Sequence, residues 1–110
     1  MIALAGSGVR TALADRKEIE VALRDLAPTL PAHEFGSVVD HAVDSRGLGH
    51  ASPETAAWLS LVAYVRHVFT EYDDLRDQGY DEASARFFVL KEMEAVLSEW
   101  GVRRRLTSQE

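Results

Sequence analysis

Positions 64 to 74 read Tyr-Val-Arg-His-Val-Phe-Thr-Glu-Tyr-Asp-Asp, a run rich in side chains that can do chemistry. On a continuous helix, spacings of three and four residues put Arg66, Thr70 and Asp73 on one strip and His67, Glu71 and Asp74 on the next. An arginine beside a histidine can receive an anionic group, carboxylates can orient both, and a threonine adds a hydroxyl that donates or accepts. Arg66, His67, Thr70, Tyr72 and Asp73 are therefore candidate ligand-binding residues. The same spacing also suits a structural role, an exposed helix laced with ion pairs. Metal chemistry has less to build on. His67 and Glu71 at i and i+4 could share an ion, but the His-Glu-x-x-His pattern is missing and a third ligand would have to come from His33, His41 or His50 by folding. Nucleophile elbow, Gly-Lys-Ser/Thr phosphate loop and paired-carboxylate motif are all missing too. No catalytic residue, metal ligand or cofactor is assigned, and an enzyme reading would rest on His67 as general acid or base tuned by Asp74 or Glu71.

The elements that must position these residues are helices. The chain has 110 residues, 46% hydrophobic and 27% charged, which allows one ordinary domain with a single core. Cysteine is absent, so disulfide scaffolds, thiolate zinc sites, iron–sulfur clusters and thiol mechanisms are excluded. From Val9 to Leu26 the apolar residues Val9, Leu13, Ile19, Ala22, Leu23 and Leu26 trace a stripe, preceded by Gly6-Ser7-Gly8, with residues 1–8 expected to be flexible. Pro28 and Pro31 bracket a turn. After Pro31 a second helix buries Phe35, Val38, Val39, Ala42 and Val43, and residues 44–51 read as a loop. Ser52, Pro53 and Glu54 form a helix start, and the third helix is expected to run to about Asp77, roughly 35 Å at 1.5 Å per residue, with Trp58, Leu61, Val62, Val65, Phe69, Tyr72 and Leu75 in the core. Gly79 stops it, Asp81 caps a fourth helix, and Ala85, Val89, Met93, Val96 and Trp100 mark its buried face. Phe87, Leu90 and Leu97 lie on another side, suited to a second neighbour or a second copy. Residues 103–110 read as a tail. The expected architecture is an all-α compact bundle of about four helices with a long central third helix, without internal repeats.

Charge narrows the partners. Twelve Lys plus Arg against eighteen Asp plus Glu give a net charge of −6, which argues against a general nucleic-acid coat. Six acids stand between Glu71 and Glu82 against one base, Arg76, whereas Arg103, Arg104 and Arg105 make a basic run. Both are also what solvated faces and helix dipoles favour. No apolar run approaches the roughly 20 residues of a membrane span, and the start of the chain has no basic n-region, so the expected location is the cytoplasm, away from any membrane.

The run from Tyr64 to Leu75, with Ala85-Arg86 and the closing Leu97-x-x-Trp100, resembles the bacterial and fungal family catalogued as domain of unknown function 2293. That family's pattern is Arg-His-x-x-Thr-x-Tyr-Asp-x-Leu, then Ala-Arg and Leu-x-x-Trp, with an upstream His-Ala pair matched by His41 and Ala42 and a glycine- and arginine-rich turn matched loosely at 45–49. The similarity spans about Leu30 to Trp100. A longer turn of the family is shortened here, and Tyr64 replaces a histidine or tryptophan. The resemblance implies a compact helical domain without an assigned activity, in which Arg66, His67, Thr70, Tyr72, Asp73 and Arg86 act as a unit.

Three functions follow. The first is a binding module in which Arg46, Arg66, His67 and Arg86, with His41 alongside, receive an anionic group from a nucleic acid, a nucleotide or an acidic partner. The second is a protein-interaction or homo-oligomeric self-assembly module whose Arg/His/Asp motif is structural. The third, least supported, is a His-dependent hydrolase. In the structural reading, Arg86 is expected to reach back to Asp73 or Tyr72 and tie the third and fourth helices together.

Overall fold

A computed structural model describes residues 16–45, 51–107 and 110 of the chain. These residues contain helices and no strand: α1 (16–26), α2 (Ala32–Asp44), α3 (Pro53–Phe69), α4 (Tyr72–Asp77) and α5 (Glu82–Glu99). The all-α class stands, with five helices where four were expected. The upstream start of the first helix and the residues 46–50, with Arg46 and His50, lie outside the described residues.

The difference in number arises at Thr70. The predicted helix from Ser52 to Asp77 is two helices, because Thr70 adopts extended backbone (φ −133°, ψ 171°) and ends α3. Its hydroxyl donates to the Arg66 carbonyl and accepts from the Tyr72 amide at 3.1 Å, a local alternative to the helical ladder that threonine can offer. α3 is thus 17 residues, roughly 26 Å rather than the 35 Å expected. Its start is as expected: Ser52 accepts from the Thr55 amide at 3.1 Å and Pro53 opens the first turn.

α3 packs against α2, α4 and α5, and Leu61, Val65, Trp58 and Ala57 are almost fully enclosed. They meet Val38 and Val39 of α2, Leu23 of α1, and Val89, Met93 and Leu97 of α5 in one core cluster. The expected core is corrected at several positions. Val43 and Phe69 are exposed, Phe69 lying edge-on to Trp100 with centroids 5.2 Å apart, and Phe35 is half-buried beneath the Arg24 guanidinium. Leu75 and Val96 are half-buried, and Leu97, expected on an outer side of the last helix, is in the core.

Two glycines close the connections. Gly79 (φ 102°) turns the chain between α4 and α5, and Asp81 caps α5 by accepting from the Ser84 amide at 2.7 Å. Gly101 (φ 84°) sits where a Cβ would approach the Pro28 ring at 3.0 Å, next to the bonds from the Thr29 amide to the Trp100 carbonyl and from the Thr29 hydroxyl to the Glu99 carbonyl. The end of α5 is thereby tied to the α1–α2 turn. Beyond it, described residues of the 103–110 segment lie against the bundle. Val102 and Leu106 are buried, Arg104 stacks on Trp58, and the Trp58 indole donates to Glu110 at 2.6 Å.

Burial opposes the ionised Glu110 carboxylate, but the bonds from Trp58 and the Thr107 amide, with the charge of Arg104, outweigh it and hold the carboxyl below its usual range. A lowered folded pKa adds stability above the unfolded value, which is lost as pH falls through the folded one. The melting temperature of the wild type is therefore expected to exceed that of Glu110→Gln at neutral pH, with the difference shrinking as pH drops below about 4.5. Val65→Asp, at a site with no exposure, would bury an unpaired charge and cost several kcal/mol. Thermal melts followed by circular dichroism check both.

Candidate functional site

The last turn of α3, the Thr70 break, the first turn of α4 and the beginning of α5 bring the candidate residues together. Tyr72, buried at the start of α4, is the centre. The Arg66 guanidinium carbon stands 5.5 Å from the centroid of its ring, and the His67 ring meets it edge-on with centroids 5.5 Å apart. His67 Nδ1 and Asp73 Oδ1 are 2.7 Å apart, bridging the break between α3 and α4. Both side chains are about half exposed, so this pair orients more than it stabilises. The helical strips expected from a continuous helix are replaced by this arrangement. His67 pairs with Asp73 rather than with Glu71 or Asp74, and the Thr70 hydroxyl is engaged with backbone on both sides.

Arg66 is the unusual member. It is 7% exposed, its Nε is buried without a hydrogen-bond partner, and no described residue forms an ion pair with its guanidinium. Burial lowers its pKa, and the like charge of Arg86 lowers it further, while Tyr72, Glu82 and Glu110 act in the opposite direction. Arg86 itself bonds Glu82 one turn earlier on α5, Nη2 to Oε1, at 2.9 Å. The expected tie from Arg86 to Asp73 or Tyr72 is not formed. Asp73 turns to His67, and Arg86 is taken by the carboxylate that helical spacing places beside it.

The remaining predicted residues stand apart. His41, on α2, shares a 3.2 Å hydrogen bond with the buried Ser60 of α3, six residues before Arg66, and so serves the α2–α3 contact. Arg46 lies outside the described residues. Glu82 was not foreseen as part of the cluster, although its place four residues before Arg86 was the available signal. The contribution of Glu110 had no sequence signal, since it depends on the C-terminal segment folding back. Among the described residues, no group of three or more His, Asp or Glu side chains is arranged to hold a metal ion, and no helix is long and apolar enough to cross a membrane.

The arrangement gives a cation enclosed by an aromatic ring and a second cation, with a histidine–carboxylate pair at its edge. In a double-mutant cycle, Asp73→Asn and Arg86→Gln are expected to add within about 0.5 kcal/mol, because Asp73 bonds His67 while Arg86 bonds Glu82. Chemical denaturation of the four proteins measures this, and a larger coupling would contradict the geometry.

No curated protein and no solved structure matches the chain. The family model described as "Uncharacterized conserved protein (DUF2293)" matches residues 22–101, which include α2 to α5 and every residue of the Arg66–Tyr72–His67–Asp73 cluster. The chain belongs to the DUF2293 family of uncharacterised conserved proteins.

Proposed function

We propose that the protein is a non-enzymatic binding module that receives one compact anionic group, a phosphate or a carboxylate, at Arg66. The observation that carries this reading is the buried Arg66 guanidinium, which has no carboxylate partner among the described residues and stands beside a second arginine. A buried charge without a counter-ion is costly, and an arginine fork matches a carboxylate or phosphate in two-pronged fashion. Arg86 adds positive potential, and the Tyr72 ring lies 5.5 Å from the guanidinium carbon. The net charge of −6 and the acids from Asp73 to Glu82 around the site oppose an extended polyanion, so a nucleotide or an acidic protein group fits better than a nucleic-acid strand.

The test uses inorganic phosphate and sulfate as probes. Either is expected to raise the melting temperature of the wild type in a saturable manner, as a ligand of the folded state alone does, and to shift the Arg66 Nε–Hε resonance. Arg66→Met should abolish this response while leaving the basal melting temperature equal or higher, because it replaces an uncompensated buried cation with an apolar chain of similar length. If phosphate and sulfate have no effect on the wild type and Arg66→Met strongly destabilises it, Arg66 is an architectural residue and the reading fails.

A further inference from the structure

α5 is apolar on two sides. Its inner side carries Ala85, Val89, Met93 and Leu97 into the core. Its outer side carries Phe87 and Phe88, 66% and 58% exposed, and the half-exposed Tyr80 packs edge-on against Phe88 with centroids 5.5 Å apart. Large aromatics exposed next to one another on one helix face are the kind of surface that contacts bury. We propose that this outer face is a two-fold interface on which a second copy of the chain packs its own α5 antiparallel.

Three features of the face make it complementary to itself, as a two-fold contact requires. The first is size: the outer side sets the large exposed residues Phe87 and Phe88 beside the half-buried Ser84 and the small exposed residues Ala95 and Ser98. With the axis between positions 91 and 92, Phe88 of one copy falls opposite the partner's Ala95, a knob against a gap. The second is local charge. The same axis places Lys91 opposite the partner's Glu92, and Glu92 opposite the partner's Lys91, all of them exposed.

The third is the polarity of the whole element. The N-terminal end of α5 is flanked by Asp77, Asp81 and Glu82, while Arg103 and Arg105, beyond its C-terminal end, line a pocket of about 260 Å³ together with Glu94 and Ser98 of the outer side. Antiparallel packing brings the acidic end of each copy to the arginine pocket of the other. Parallel packing would set acid against acid and arginine against arginine. This inference does not depend on the anion reading, since Arg66 and Tyr72 are buried whereas Phe87 and Phe88 are exposed.

Sedimentation equilibrium tests it. At roughly 100 µM chain, a concentration at which a specific interface is populated, the wild type is expected at twice the chain mass. The double variant Phe87→Ser/Phe88→Ser, at exposed positions, should keep its helical circular dichroism and sediment as a monomer. Lys91→Glu and Glu92→Lys should each weaken the dimer about tenfold or more, because each sets like charges opposite one another. Mixing these two variants should restore wild-type association, since every opposed pair is then of opposite sign. A monomeric wild type, a dimer indifferent to the loss of both phenylalanines, or a mixture no tighter than either variant alone would each overturn the proposal.

Discussion

The arrangement at the site depends on what the Thr70 hydroxyl does to the backbone. By donating to the Arg66 carbonyl and accepting from the Tyr72 amide, it satisfies two groups that a continuing helix would have paired along its ladder. The chain can therefore leave the helix at Thr70 without losing those bonds and resume as α4. A helix of six residues has little stability of its own, so α4 must be held by what surrounds it. The buried Tyr72 holds one end. At the other, the Gly79 turn and the bond from the Tyr80 amide to the Leu75 carbonyl return the chain to α5. The break sets Tyr72 between Arg66 and His67 and brings Asp73 within reach of His67.

That geometry has an electrostatic consequence. Enclosing a guanidinium removes it from water, and the interior must compensate through partners or bear the cost. Around Arg66 the compensation consists of a π face and the longer-range attraction of Glu82 and Glu110, opposed by the charge of Arg86. The long aliphatic stem of Arg66 adds packing that a shorter side chain would not supply. Architecture alone would be served as well by a methionine. A positive charge at such a position is compensated where a negative group meets it.

Much of this was legible in the sequence. Ser52-Pro53 as a helix start, Pro28 to Pro31 as a turn, Gly79 followed by Asp81, and the spacing of Val38, Val39 and Ala42 all act through contacts a few residues apart, and all appear as read. The helix break was less visible because Phe69, Tyr72 and Leu75 continue an apolar spacing through Thr70, and periodicity outweighed a single hydroxyl. A strip drawn on a continuous helix is rotated beyond the break, so spacing sets Asp73 on the strip of Arg66 and Thr70, whereas its partner is His67 on the neighbouring strip. The basic run Arg103 to Arg105 reads as solvated, whereas Leu106 is anchored by the core and Glu110 by Trp58, a contact separated by some fifty positions. Residue types mark the candidates and apolar spacing marks Tyr72 as buried, whereas the burial of Arg66 is not legible in the sequence, since it is decided by which helices close over it.

α5 divides its large apolar residues between the core and the solvent. Its core side carries the residues that enclose Val65 and Trp58, and that side alone accounts for its place in the bundle. Phe87 and Phe88 contribute nothing comparable to the core, because most of their surface remains in water. Their apolar area becomes favourable only when another surface removes it from solvent, and a copy of the same helix, reversed, is a surface that also opposes lysine to glutamate and acid to arginine. The fold therefore needs only the inner side of α5, and on the proposed interface a change at Phe87 or Phe88 would act on association before it acts on the core.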